Sequence, residues 1–373
     1  MHRVPILRKK LLWLVTLALF ALVGPASAQQ QPPQAPVEQG SIDWRKANDD
    51  VAQFKRGHVD VLKWESANDK AQTDQPYAAP DIWITSADAA VRQAWRARPE
   101  LVHSLSQLGA QNQEQLAQGR GLEIAPAVRR RVEDLDAVLD VAADARKAWL
   151  TAVAAGLTLK QQRDMQESIA AAAELARRMA RVGNWSRMEQ AQWQAKLGKV
   201  KLQTLKAEIE AKHAQSALLK VTKLWGVVSS VGLADVMPQM PQQVLSPASF
   251  QQKLTALRGV LPRSEGQKAA TNAQLAFDIY TASYQAAQMS KDELTLQQFI
   301  NDEVVLRYNG MLLSVWDLLT QTNELMQAQV GAINAQRDFL MAETDLQFVL
   351  QGGAPSSFVS LGGADGESTS EKQ

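Results

Sequence analysis

The side chains that most often carry catalysis or hold metals are sparse in this chain and poorly spaced for either task. There is no cysteine among the 373 residues, which excludes disulfides, thiolate metal sites and lipoprotein processing together. Beyond the first thirty residues the histidines are His58, His103 and His213, on separate stretches with no ligand spacing between them. Glu133, Asp134 and Asp136 stand among arginines, the pattern of a solvated helix face laced with ion pairs. Gly119-Arg120-Gly121 lacks the strand and the following glycines of a phosphate loop. No nucleophile pairs with a base. The expectation is a protein without catalysis, cofactor or metal.

Residues suited to binding are better placed. Trp185 and Met188 flank a break at Gly183-Asn184, and Leu312, Leu313 and Trp316 flank one at Asn309-Gly310. Large apolar groups at an exposed reversal cost solubility unless something covers them, and Trp is favoured at binding hot spots. Two readings stay open: these residues dock a partner, or they fold onto each other or the neighbouring hairpin. Trp44, Trp64, Trp83, Trp95, Trp149, Trp193 and Trp225 lie elsewhere and read as core and seam residues. Arg129-Arg130-Arg131 sits near a helix start, where the macrodipole disfavours cations. It reads as a solvated run or as a surface facing anionic lipid or an acidic partner.

The elements that must position these residues are helices. Ala and Gln are abundant, aromatics are 6%, and β-branched runs are scarce. Residues 1–28 carry Arg3, Arg8, Lys9 and Lys10, an apolar stretch from Leu11 to Val23, and Ala26-Ser27-Ala28, as in a cleaved signal peptide. An uncleaved anchor is the alternative. Cleavage removes four positive charges and no negative ones, taking the net charge from +1 to −3, too balanced for nucleic acid. A Gln/Pro-rich lead-in (29–40) precedes an N-terminal helical segment (41–84), with a helix from Ile42 to Ala71, and Thr85 with Asp88 reads as a capping box opening the next helix. A first helical repeat (85–236) has its tip near residue 183. A Pro-rich connector (237–266) leads to a second repeat (267–351) with its tip near 310, and a Gly/Ser-rich tail (352–373) follows.

The repeat is carried by spacing. Leu197, Val200, Thr204, Ala207, Ala211, Ala214, Leu218 and Val221 alternate steps of three and four. Leu325, Ala328, Ala332, Ala335, Phe339, Ala342, Leu346 and Val349 reproduce those steps one for one, at the constant offset that separates Leu197 from Leu325. That is a sustained heptad seam, and its alanines let helix axes approach closely. A shared register in two segments points to duplication. Each seam helix follows a long partner, Arg129 to Arg181 and Ala269 to Arg307. The fold predicted is all-α, long antiparallel coiled-coil hairpins in two repeats, without a β-barrel.

At the turns the chain resembles the outer-membrane efflux protein family, the TolC-like exit ducts of Gram-negative export systems. That family's tip motif has Tyr, Gly three residues on, a small residue six on and Asp nine on; Tyr308, Ser314 and Asp317 fit it. Gly stands one place early, at Gly310, with Met311 in its usual position. Gly183, Ser186 and Glu189 are the counterparts in the first half, where Ala180 replaces the aromatic. Arg98-Pro99-Glu100-Leu101 and Leu350-Gln351-Gly352-Gly353 resemble the family's opening and closing helices. Two strands per half are missing: 109–129 is too short for them, and 227–266 carries four prolines.

The resemblance implies a component of an export or efflux assembly. It would be periplasmic or outer-membrane associated, a homo-oligomer (trimeric in the family), and docked on a periplasmic adaptor subunit. The docking residues implied are Trp185, Ser186, Glu189, Tyr308, Gly310, Ser314, Trp316 and Asp317. The alternative is a soluble periplasmic coiled-coil scaffold without transport.

Overall fold

A computed structural model describes residues 80–260 and 263–359. The expected signal peptide, lead-in and Ile42 to Ala71 helix, and most of the expected tail, lie outside these residues.

The chain enters as a short strand, β1 (Ile82–Trp83), then α1 (Ala87–Arg96), a 3-10 turn (Pro99–Leu101), α2 (Val102–Leu108), α3 (Ala110–Ala117), a second 3-10 turn (Gly121–Glu123) and α4 (Pro126–Arg129). Two long helices follow, α5 (Leu135–Arg181) and α6 (Arg187–Val221). Then come β2 (Val231–Gly232), α7 (Pro247–Val260) and a second long pair, α8 (Arg263–Asn309) and α9 (Val315–Leu350). The starts of α5 and α8, their ends, and the starts of α6 and α9 are all separated by the offset of the seam. A 47-residue helix reaches about 70 Å, so each pair is a long hairpin with its turn far from its roots.

The seam residues do what their spacing demands. Val200, Thr204, Ala211, Ala214 and Leu218 of α6 are buried, as are Ala328, Phe339, Ala342, Leu346 and Val349 of α9. Thr204 satisfies its hydroxyl by donating to the Val200 carbonyl one turn back, at 3.1 Å. The hairpins join through α5 and α9, giving the lateral order α6, α5, α9, α8, with α1 against α5 and α7 against α8.

At the roots larger side chains fill the core between the helices. Trp149 is buried and donates its indole N–H to the Ile84 carbonyl at 2.8 Å, and buried Trp95 donates to Val138 at 3.1 Å. Phe250 of α7 stacks on Phe277 of α8 at 4.2 Å, and the Tyr280 hydroxyl accepts from the Leu245 amide. Burying each such ring contributes on the order of 2–3 kcal/mol.

Two sequence expectations are refined. The cap of α1 is Ser86, not Thr85: the Ser86 hydroxyl accepts from the Ala89 amide at 3.2 Å, while Asp88 pairs with Arg92 at 2.7 Å. The Pro-rich connector contains α7. Pro247 opens that helix instead of blocking it, because the first helical position needs no amide hydrogen, and the Ser246 hydroxyl accepts from the Ser249 amide.

Strand among the described residues is confined to β1 and β2, two residues each, paired in parallel as Ile82 with Val231 and Trp83 with Gly232. They form no barrel. No helix among the described residues is long and apolar enough to cross a membrane.

Candidate functional site

The two distal turns have the same backbone. In the first, the Asn184 amide bonds to Met179 O and the Gly183 amide to Ala180 O; in the second, Leu312 bonds to Arg307 O and Met311 to Tyr308 O. This wrap of the last helical turn needs one residue in the left-handed region. Gly183 supplies it at φ 81° and Met311 at φ 59°. A side chain in that conformation costs on the order of 1 kcal/mol or more relative to glycine.

Immediately after each turn the next helix is capped reciprocally. The Ser186 hydroxyl accepts from the Glu189 amide at 3.2 Å, and the Glu189 carboxylate accepts from the Ser186 amide at 2.8 Å. Ser314 and Asp317 repeat this at 3.3 and 2.9 Å. Bonds from the Ser186 amide and hydroxyl hold the Glu189 carboxyl below its ordinary pKa, and bonds from the Ser314 hydroxyl and amide do the same for Asp317. The serine and acid of the tip motif therefore have a structural task in each turn, whatever else they meet. Both carboxylates keep an ionised edge at the turn.

The two tips lie at one end of the molecule and touch. Trp185 and Trp316 stack with ring centroids 4.1 Å apart, and Trp193 tilts against Trp316 at 5.0 Å. Both turn indoles are half-buried over a small core of Met165, Ile169, Ala172, Ala173 and Ala176. This contact answers to the second of the two sequence readings, folding onto the neighbouring hairpin, for these two residues. Tyr308 and Gly310 remain exposed.

What the tips leave open to solvent is largely apolar. Met311 is 94% exposed and Leu312 77%, with Val182, Met188 and Leu306 also exposed beside them. Val182 was not among the residues the sequence singled out, and Met311 was noted there only as the residue in the motif's glycine place. The signal for Met311 was present, since it fills the place where the first tip has Gly183. Among the described residues no group of three or more metal-ligating side chains is present.

The flanks carry further exposed apolar residues. On α6, Leu202, Leu205 and Ile209 form a stripe at steps of three and four. On α8, Met289, Leu296, Phe299 and Leu306 lie on one face at steps of seven and three, with Ile300 beside them. Lys199, Lys201 and Lys206 border the first stripe together with Glu208 and Glu210, and Asp292, Glu293 and Asp302 border the second together with Lys291 and Arg307.

No protein-family model matches the sequence, and no curated protein matches it. Solved structures do. CusC, in a study of its folding and transmembrane channel formation, is similar over 72% of this chain and 91% of its own, with 12% identity and a TM-score of 0.45. The Campylobacter jejuni CmeC outer membrane channel is similar over 64% and 67%, with 14% identity and a TM-score of 0.44. A membrane protein from Pseudomonas aeruginosa is similar over 71% and 72%, with 11% identity and a TM-score of 0.38.

Proposed function

We propose that this protein is a component of an export or efflux assembly of the cell envelope, docking a periplasmic adaptor subunit through its hairpin tips. The observation that carries this is Met311. Its side chain stands almost wholly in water, in a backbone conformation that glycine adopts without strain, and it packs nothing in its own fold. An apolar group kept at such a position is accounted for by a surface that covers it. Leu312, Met188 and Val182 extend that surface, and Tyr308, Gly310, Ser186, Glu189, Ser314 and Asp317 form its polar rim. Trp185 and Trp316 act beneath it, fixing the spacing of the two tips. The motif-level resemblance to TolC-like ducts supports the same end of the molecule.

The flanks support self-association. The stripe on α6 and the stripe on α8 lie on opposite edges and stand at overlapping distances from the tips. Unlike edges join copies head to tail, and such contacts close into a ring where the rotation between copies closes. The trimer implied by the family resemblance is one such ring.

Met311→Gly tests the docking reading. Relief of the left-handed strain should raise stability by about 1 kcal/mol, while crosslinking of the tip to a hairpin-bearing envelope protein should fall. Unchanged crosslinking would sink the proposal. The strand content among the described residues, two residues in each of two strands, favours a second reading, a periplasmic scaffold that forms no pore. Conductance in reconstituted bilayers separates the two.

A further inference from the structure

A cleft of about 310 Å³ lies between α5 and α9 at the roots, lined also by residues 118–121 and by Pro238 and Gln239. The docking reading does not use it. Its walls carry two opposite charges, Arg146 of α5 and Glu343 of α9, which act on each other from beyond ion-pair distance. Both are drawn out of water. Burial pushes the pKa of the Arg146 guanidinium down and that of the Glu343 carboxyl up, in each case against the pull of the other charge. Among the described residues Glu343 accepts no hydrogen bond. Arg146 donates to the Ala117 carbonyl and lies against Gly119, which leaves other N–H groups of its fork unused. The nearby charges are engaged elsewhere: Asp88 pairs with Arg92 at 2.7 Å, and Arg120, exposed at the rim, pairs with Glu123 at 3.6 Å.

Two desolvated charges of opposite sign that share a cleft without touching are each left short of a partner. One molecule carrying both signs answers both. Ala142 and Ala143 are the small residues beside the space, and Leu139, Leu340 and Phe348 supply an apolar wall. We propose that the cleft binds a small zwitterion with an apolar side chain, an α-amino acid or a dipeptide, its carboxylate on Arg146 and its ammonium on Glu343. The planar guanidinium gives the carboxylate charge-assisted hydrogen bonds, and Glu343 accepts from the ammonium. The volume stands at the small end of ligand pockets, which suits a molecule of this size.

Calorimetric titration of the full chain with L-leucine and with glycyl-leucine tests this, beside leucinamide, which lacks the carboxylate, and N-acetylleucine, which lacks the ammonium. Saturable binding of at least one zwitterion is expected, and which of the two binds tighter measures the span between the charges. Each single-charge analogue should bind about ten-fold more weakly or worse, as should the zwitterion to Glu343→Gln. The analogues probe each charge without altering the protein, so the result stands even where an Arg146 variant loses its brace on Ala117. The proposal is overturned if neither zwitterion binds saturably, if either analogue binds as well as leucine does, or if Glu343→Gln leaves binding intact.

Discussion

Met311 and Gly183 hold the same left-handed position in two turns that are otherwise alike bond for bond, and the difference between them separates stability from function. A turn selected for stability alone would carry glycine in both. The stacked indoles beside the turns have the opposite balance, since Trp185 and Trp316 are half-buried against each other and against Trp193. Trp316→Ala should therefore destabilise the tip by about 2 kcal/mol. It should also speed amide hydrogen exchange near residues 183–190 and 310–318 while leaving the roots protected. Uniform loss of protection along the hairpins would mean that the stack is not a local clasp. Partner binding should fall in this variant through lost tip spacing. Met311→Gly, by contrast, should lower binding while the tip becomes more stable.

At the scale of elements, the heptad seam explains why α6 and α9 each bury one face, and the root packing explains what the seam leaves open. α9 ends among ionisable groups that the seam does not use. Asp345 is 1% exposed and accepts from Lys147 at 2.9 Å, yet its second oxygen has no partner. Burial raises the Asp345 carboxyl above its ordinary value despite Lys147, and raises Glu343 despite Arg146. A carboxyl raised in the folded state holds its proton more tightly there than in the unfolded chain. Its ionised form therefore costs stability above the raised value, and that cost is relieved as pH falls towards the ordinary carboxylate range. Glu343→Gln should raise the denaturant midpoint at neutral pH, with the gain vanishing at pH values where Glu343 is protonated. A gain that persists in acid would assign the effect to packing instead. On the flanks, Phe299→Glu places a charge on the α8 stripe and should reduce the proposed oligomer to smaller species by mass photometry, as should Leu205→Glu on the opposite edge. If neither variant changes the oligomeric state, the two edges are not the interface.

Over the whole molecule, the exposed apolar turns and the larger core stand at opposite ends. The distal end carries exposed apolar tips over a small aromatic clasp, and the root end carries the larger core. The long helices between them keep the two ends about 70 Å apart and in fixed register. Much of this was legible from spacing. Steps of three and four over eight positions, repeated at one fixed offset in the second half, require two helices of one register. The glycine and asparagine breaks between them require reversals. Ser186 with Glu189 and Ser314 with Asp317 were legible as a motif. Their reciprocal caps explain why a hydroxyl and an acid three positions apart recur after each turn.

Other features were not legible because they depend on residues distant in the chain. Nothing local to Trp185 or Trp316 says that their rings meet, since they stand far apart in the chain and belong to different hairpins. Pro247 reads as a breaker until the preceding serine is seen to cap a helix that the proline begins. The exposure of Met311 required knowing which side of the turn faces the fold. The sequence by itself determined the periodic properties, namely helix, seam, reversal and duplication, because each depends on side chains a few positions apart on one rigid element. The tertiary structure alone decided which apolar groups were covered and which stayed in water, because burial is set by the neighbour across the interface.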